Sequence, residues 1–259
     1  PFLLLPGIPD RHNLQPLYDE AALAIAAVDP DRVVLFESIT WDDMFGWWLL
    51  STGFTHAPGG AGRAAQSALA FHYYSQPNFG DKRAYLKRRV EDAAALNVGA
   101  LVTEFDLGSS ESSADTMDAL DELLVGWTAW EYKPYAGSLA NGTCTGCGSG
   151  PWHRDGTLDA GVVRVLARTY APAVAGDVMA MKFDRSTSEF QLRFAATAPD
   201  ASAPTVVFLS PKVFYPGGYK VEVEPAGALA WSKADDQHLH FVTTASAEGA
   251  EVTITITKQ

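Results

Sequence analysis

The stretch GALVTEFDLG, residues 99–108, decides the fold that this sequence predicts. It begins with small and apolar residues, as a buried strand does, and then runs into Thr103-Glu104-Phe105. Other short apolar runs alternate with amphipathic stretches up to about residue 170. Strands that alternate with helices pair in parallel through right-handed crossovers, so this part of the chain is predicted to be an α/β domain.

The chain falls into two parts with different hydrophobic patterns. In the first part, strands are also predicted at residues 32–38, 68–74 and 125–132, with helices at residues 13–28, 81–97, 113–124 and 159–171. After about Pro172, runs such as EFQLRFAA and AEVTITITK alternate apolar with polar residues, and turns such as YPGGY separate them. That pattern is typical of an antiparallel β-sandwich. We therefore predict an α/β domain over residues 1–175 and a β-sandwich over residues 176–259.

Composition excludes several classes of partner. The chain has 259 residues, of which 19 are basic and 31 acidic, and its formal net charge is −12. Because phosphate binding needs clustered Lys and Arg, nucleic acid and anionic membrane surfaces are not expected as generic partners. No apolar run reaches the roughly 18 residues of a membrane span. The first residues do not have the form of a signal peptide, so we expect a processed product or a piece of a longer protein.

Polar and aromatic side chains stand where four consecutive strands end. In chain order they are Glu37, His72 with Tyr74, Glu104, and Trp130. In a barrel of parallel strands the functional groups lie at these carboxyl ends. Any one of them could serve stability alone, but the set of four places aromatic rings beside carboxylates. That combination suits a sugar, whose C–H faces stack on rings while its hydroxyls bond to polar groups.

At these residues the sequence resembles a known family. FHYY, VTEF and GWTAWEYK are similar to the last strands of family 5, clan A glycoside hydrolases. GFTHAPGGAG and LARTYAPAVAG resemble more narrowly the endoglycoceramidases, which release the intact glycan from glycosphingolipids. The resemblance covers nearly all of residues 1–176, and it is looser over the sandwich. It implies the C-terminal half of a (β/α)8 TIM barrel (strands 5–8) followed by the antiparallel β-sandwich.

The resemblance also implies roles for individual residues. Glu104 matches the catalytic nucleophile, which a hydrogen bond from Tyr74 would assist, while His72 would line the sugar site. The substrate-binding residues would be Trp130 under the sugar, Glu37 and Trp41 at the border of the site, and Phe54 and His56 in the loop 54–60 near the lipid or the aglycone. Because of that loop, we expect peripheral contact with a lipid surface. No cofactor is expected.

A retaining hydrolase needs a second carboxyl group, about 5–5.5 Å from the nucleophile. The family carries it in an Asn-Glu-Pro motif, which this sequence lacks. We therefore expect the acid/base and the first four strands to come from the N-terminal half of the same precursor, bound as a separate polypeptide. Glu37 is the alternative acid on this chain, although binding a sugar hydroxyl or pairing with a cation fits its position better.

One departure from the family leaves other functions open. Asp106 stands where the family usually has glycine, and its charge could disfavour an ionised Glu104. The alternatives are a glucosylceramidase or another β-glucosidase of the same family, and a non-catalytic glycan- or lipid-binding protein on a hydrolase scaffold.

The remaining motifs point to a secreted or lumenal protein. Cys144 and Cys147 are expected to form a small loop disulfide, since a zinc site would need two further ligands. A redox C-x-x-C motif is the alternative reading of the pair. Asn141 begins an Asn-Gly-Thr glycosylation acceptor. His238 and His240 could present two imidazoles on one strand face, but no third metal ligand is evident.

Overall fold

The computed structural model describes residues 7–39, 51–74, 81–105, 107, 110–132, 150–153 and 155–259. The chain divides into two compact units. Unit 1 comprises Pro1–Gly108 and Val125–Gly150, and unit 2 comprises Ser109–Leu124 and Pro151–Gln259. Among the described residues, no helix has both the length and the apolar character needed to span a bilayer.

Unit 1 is built on a four-stranded parallel sheet. Its elements are α1 (Gln15–Val28), β1 (Val34–Glu37), β2 (Ser67–Tyr73), α2 (Lys82–Ala95), β3 (Gly99–Phe105) and β4 (Gly126–Trp127). The strands lie side by side in chain order and every pair is parallel. A π-helical turn, Asp10–Leu14, precedes α1, and a 3-10 helix, Ala61–Gln66, precedes β2. The alternation of strands and helices therefore gives the α/β class that the sequence predicted.

Aromatic packing fixes β1 against the loop that follows it. Phe36 of β1 and Phe54 of the loop are buried, and their rings meet edge to face with 5.0 Å between centroids. Tyr18 of α1 contacts both rings in the same manner. Such edge-to-face pairs add about 0.5–1.5 kcal/mol beyond the area they bury. The end of β1, where Glu37 stands, is thus tied to α1 and to the loop.

Unit 2 contains two antiparallel sheets. Their strands are Tyr170–Ala173 (β5), Gly176–Asp184 (β6), Glu189–Ala196 (β7), Thr205–Phe208 (β8), Tyr219–Glu224 (β9), Leu229–Lys233 (β10), His238–Thr243 (β11) and Glu251–Lys258 (β12). Each sheet has four strands, in the orders β10-β11-β8-β5 and β6-β7-β12-β9. Alternate side chains such as Phe190 and Ile254 from one sheet and Phe241 from the other form a shared core. The antiparallel arrangement agrees with the period-two pattern in the sequence.

Two predicted elements were wrong in extent. The strand predicted at residues 125–132 is regular only over Gly126–Trp127, although the N–H groups of Thr128 and Trp130 still donate to carbonyls of β3. The helix predicted at residues 159–171 ends at Leu166, and Tyr170–Ala173 is the strand β5. Because Tyr170 pairs with Phe208 of β8, a contact distant in sequence overrides the local helical pattern.

The described part of unit 2 also contains the α-helices α3 (Ser110–Glu122), α4 (Ala160–Leu166) and α5 (Pro211–Phe214). Two arginines fix α3. Arg185 donates to both carboxylate oxygens of Asp118, at 2.9 and 2.8 Å. Arg168, whose side chain is 1% exposed, donates to the buried Asp121. The domain boundary between residues 175 and 176 stays a prediction.

Replacing Asp121 with alanine is expected to lower the free energy of unfolding by about 3–5 kcal/mol, because the buried guanidinium of Arg168 loses its closest carboxylate. Glu251→Ala is the matched control. Glu251 pairs with Arg193 at 3.0 Å, but both side chains are about half exposed, so its loss should cost less than about 1 kcal/mol. Urea denaturation measures both. Equal effects of the two substitutions would contradict the role given to Asp121.

Candidate active site

The carboxyl ends of β1, β2 and β3 bring together Glu37, His72 and Glu104. His72 lies opposite Glu104 because the pairing register shifts between Phe71 and His72. Phe71 is opposite Val102, so the β3 strand contains one extra residue at this point. A bulge of this kind re-aims the side chains that follow it. Here it sets an imidazole beside a carboxylate at the end of the sheet.

Two polar side chains lie beside Glu104: His72, which is part of β2, and Tyr74, which directly follows that strand. The hydroxyl of Tyr74 donates a hydrogen bond to Oε1 of Glu104. Nδ1 of His72 lies 4.0 Å from the same oxygen, and the side chain of Glu104 is 27% exposed. The carboxylate is therefore partly shielded from water and partly accessible.

Glu37 completes a row of three ionisable groups. Its Oε1 lies 3.6 Å from Nε2 of His72, and its backbone N–H donates to the hydroxyl of Tyr18 at 3.2 Å. Burial raises the pKa of Glu37, the nearby His72 lowers it, and the charge of Glu104 raises it. His72 is thus flanked by a carboxylate at each ring nitrogen.

Trp130 is joined to the end of β3 through its backbone. Its N–H donates to the carbonyl of Phe105 at 2.8 Å, the residue that follows Glu104. Thr128 anchors the same segment, with its hydroxyl donating to the carbonyl of Thr103 at 2.6 Å. The side chain of Trp130 is 40% exposed, which is high for an indole, and its peptide bond to Glu131 is cis.

Two residues predicted to bind substrate have partners within unit 1. Phe54 is buried in the core beside Phe36. His56 has Nε2 at 3.1 Å from Asp19 and Nδ1 at 2.9 Å from the hydroxyl of Thr55. Their contact with a substrate stays a prediction.

Sequence reasoning missed the side chains of α1 and the preceding turn that hold the loops around the site. Asp10 is fully buried and accepts hydrogen bonds from the N–H groups of Ile39 and Gly53, at 3.0 and 2.8 Å. Asp19 accepts from the N–H of Gly59 at 2.8 Å, and Gln15 accepts from that of Thr55 at 3.0 Å. The available signal was the spacing of polar residues at positions 10, 15 and 19, four or five residues apart just before and within the predicted helix.

Several predicted residues lie outside the described residues: Trp41, Asp106, Asn141, Cys144 and Cys147. In unit 2, His238 has Nδ1 at 2.9 Å from Asp235. Across the part of the chain that the structure describes, no group of three or more His, Cys, Asp or Glu side chains could hold a metal ion.

Comparison with known proteins gives matches along the whole chain. Residues 168–256 match the glycoside hydrolase family 5 C-terminal domain. An endoglycoceramidase from Cyanea nozakii is 32% identical over 263 residues, covering 99% of this chain and 50% of that protein. An endoglycoceramidase from Hydra vulgaris is 34% identical over 227 residues, covering 87% of this chain and 41% of that protein. The chain spans about half the length of the curated relatives it matches.

The fold is similar to that of endo-glycoceramidase II from Rhodococcus sp. Its structure as a lactosyl-enzyme intermediate has a TM-score of 0.75 and 24% sequence identity, and the match covers 98% of this chain and 56% of that chain. Its complex with ganglioside GM3 also has a TM-score of 0.75, at 22% identity and the same coverage. At these identities the likeness concerns the fold.

The row Glu37–His72–Glu104 predicts opposite effects of two substitutions on the pKa of Glu37. His72→Ala removes the group that lowers this pKa and should raise it further, whereas Glu104→Gln removes a repelling charge and should lower it. Titration of the Glu37 carboxyl by ¹³C NMR measures both shifts. Glu91→Gln, a half-exposed glutamate on α2, is the control and should leave the titration unchanged. Shifts of the same sign would refute the arrangement.

Proposed function

We propose that this chain, which is endoglycoceramidase-like and corresponds to the C-terminal portion of such family 5 enzymes, provides the nucleophile of a retaining glycoside hydrolase. The observation that carries the proposal is the contact of Glu104 with the Tyr74 hydroxyl, beside His72, at the carboxyl ends of parallel strands. Residues at such strand ends supply the chemistry in parallel β/α barrels.

In the proposed reaction an oxygen of Glu104 attacks the anomeric carbon of the sugar. The bond from that carbon to the leaving oxygen breaks, and an external carboxylic acid gives its proton to that oxygen. The glycan is then esterified to Glu104. Water, deprotonated by the same external group, attacks the anomeric carbon and frees the Glu104 carboxylate. The hydrogen bond from Tyr74 stabilises the charge of Glu104 before attack and after release.

The proposed substrate is a glycosphingolipid, cleaved between glycan and ceramide. Relatives at 32% and 34% identity are endoglycoceramidases, and a protein of similar fold has been captured with ganglioside GM3. Trp130 has the exposed indole face on which a sugar ring can stack. Glucosylceramidase or other β-glucosidase activity would use the same residues with a shorter glycan site.

We propose that the acid/base and strands 1–4 of a (β/α)8 barrel come from the N-terminal half of the same precursor, with strands 5–8 being β1–β4. Exposed apolar side chains support this. Among the described residues β1 pairs only with β2, and Leu35 on β1 is 45% exposed. Leu17 and Leu23 on α1 are 60% and 56% exposed. An open parallel edge beside exposed leucines is a surface suited to burial by further strands and helices.

Three further features belong to the proposal because the motifs alone suggest them. They are a disulfide between Cys144 and Cys147, glycosylation at Asn141, and a secreted or lumenal location in which both modifications form.

Glu104→Gln is expected to lower hydrolysis of a fluorescent glycosphingolipid by at least about a thousandfold, because an amide cannot form the glycosyl ester. Glu91→Gln is the control for the same change of charge on a surface helix and should retain activity. Full activity of Glu104→Gln would remove Glu104 from the mechanism. Binding of the glycolipid without any hydrolysis by the unaltered protein would favour the non-catalytic alternative.

Intact-mass analysis of the natively purified protein under denaturing conditions is expected to show a second polypeptide containing Asn-Glu-Pro. A single longer polypeptide containing both halves would refute the separate chain while keeping the completed barrel. A protein in which no Asn-Glu-Pro segment accompanies this chain would refute both.

A further inference from the structure

We infer that Thr128 is a positioning residue for Glu104, because its hydroxyl and its N–H together hold the bulge of β3 that precedes Glu104. Thr128 directly follows β4 and stands two residues before Trp130. The inference rests on the proposed function of Glu104 as the nucleophile.

The bulge of β3 shows against both neighbouring strands. The register shift against β2 leaves one extra residue between Val102 and Glu104. On the other side, Thr128 donates its N–H to the carbonyl of Val102 at 2.8 Å. Trp130, two residues further on, donates to the carbonyl of Phe105, which is three residues further on in β3, also at 2.8 Å. Bonds in a regular parallel pair are evenly spaced, so both strands should advance by two residues.

The hydroxyl of Thr128 holds the extra residue. It donates to the carbonyl of Thr103 at 2.6 Å, while the N–H of Thr128 holds the carbonyl of Val102. Successive carbonyls of a regular strand point to opposite neighbours, whereas these two both point to Thr128. One residue thus holds the two peptide groups that come directly before Glu104, and the direction of the Glu104 side chain depends on them.

The direction of Glu104 matters for the proposed chemistry. The hydroxyl of Tyr74, which follows β2, donates to Oε1 of Glu104. Thr128 follows β4, so the end of β3 is held from both neighbouring strands. A nucleophilic oxygen must be aligned with the anomeric carbon, and a misplacement of about 1 Å can cost about a hundredfold in rate.

The bond between Thr128 and Thr103 is exposed. Its loss should therefore change the stability of the fold little, as is usual for surface substitutions. A lower reaction rate in a Thr128 variant that folds normally then reports on the position of Glu104.

The first test measures the rate at which Glu104 is esterified, in the complete native protein with any polypeptide that stays bound to this chain. The probe is a fluorinated lactoside with a dinitrophenolate leaving group. An oxygen of Glu104 attacks the anomeric carbon, the bond from that carbon to the leaving oxygen breaks, and dinitrophenolate departs with the electron pair without needing a proton. Intact mass follows the ester, and peptide mapping locates it.

Thr128→Val keeps the shape of the side chain without its hydroxyl, and it is expected to slow esterification at saturating probe about tenfold. Thr128→Ser keeps the hydroxyl and should react within about twofold of the unaltered rate. The half-saturating probe concentration should change less than about twofold, whereas a Thr128 hydroxyl that bound the sugar would make it rise. If Thr128→Val does not fold in urea denaturation, Thr128→Ala takes its place.

Thr197→Val is the matched control. Thr197 donates its N–H and its hydroxyl to the carbonyl of Ala175 in unit 2, at 3.0 and 2.9 Å. It loses the same kind of bond and should be esterified at the unaltered rate.

Amide hydrogen exchange supplies a second readout that needs no activity. Thr128→Val should speed exchange in a peptide covering residues 99–105 about tenfold, because the end of β3 opens more often, and Thr128→Ser should not.

The two measurements separate the inference from the proposed function. Esterification of Thr128→Val at the unaltered rate, or equal slowing in Thr128→Ser, would overturn the inference and leave the nucleophile in place. Unchanged exchange in Thr128→Val would overturn it as well. An unaltered protein that is not labelled at Glu104 would defeat the proposed function, while faster exchange in Thr128→Val alone would still uphold the hold of Thr128 on the bulge.

Discussion

The contact of His72 with two carboxylates is the interaction on which the rest of the site depends. Parallel pairing carries Glu37 and Glu104 to the same edge of the sheet. Two carboxylates at one edge repel each other, and the charge of Glu104 accordingly raises the pKa of Glu37. His72 stands between them, 3.6 Å from Glu37 and 4.0 Å from Glu104, and it lowers the pKa of Glu37. The register shift after Phe71 is what puts the imidazole there, so a small irregularity of the backbone determines the chemistry of the edge.

The scaffold around this edge uses α1 in an unusual way. Its polar side, with Gln15 and Asp19, points to the loops of unit 1 and satisfies their N–H groups. Buried N–H groups without partners would each cost about 1–3 kcal/mol, so these acceptors stabilise the loops that frame the strand ends. The same helix exposes Leu17 and Leu23. A helix that turns Gln15 and Asp19 toward the loops and exposes two leucines fits a unit that further protein covers, in keeping with the proposed barrel.

The sequence predicted the parallel strands and the residues at their ends, because short apolar runs and the polar residues that follow them are local signals. It identified Glu37, His72 and Glu104 one at a time. It could not predict that His72 stands between the other two, since that depends on the register shift between β2 and β3. Nor could it detect the role of Asp10, whose partners Ile39 and Gly53 are more than twenty-five residues away. The extents of β4 and α4 were wrong for the same reason: pairing across the sheet decided them.

The two compact units of the chain show a further effect of contacts between distant residues. The hydrophobic pattern changes near residue 175. Before it, apolar residues recur at helical spacing, and after it, apolar and polar residues alternate. The two compact units are not continuous in sequence: α3 lies between β3 and β4 along the chain and yet belongs to unit 2. Arg168 and Arg185 hold α3 through Asp118 and Asp121, and a guanidinium buried to the extent of Arg168 requires such a partner. The helix that follows the proposed nucleophile strand therefore depends on residues of unit 2. The hydrophobic pattern of the sequence predicts whether each element is a helix or a strand. Ion pairs between residues tens of positions apart decide which elements pack in the same unit.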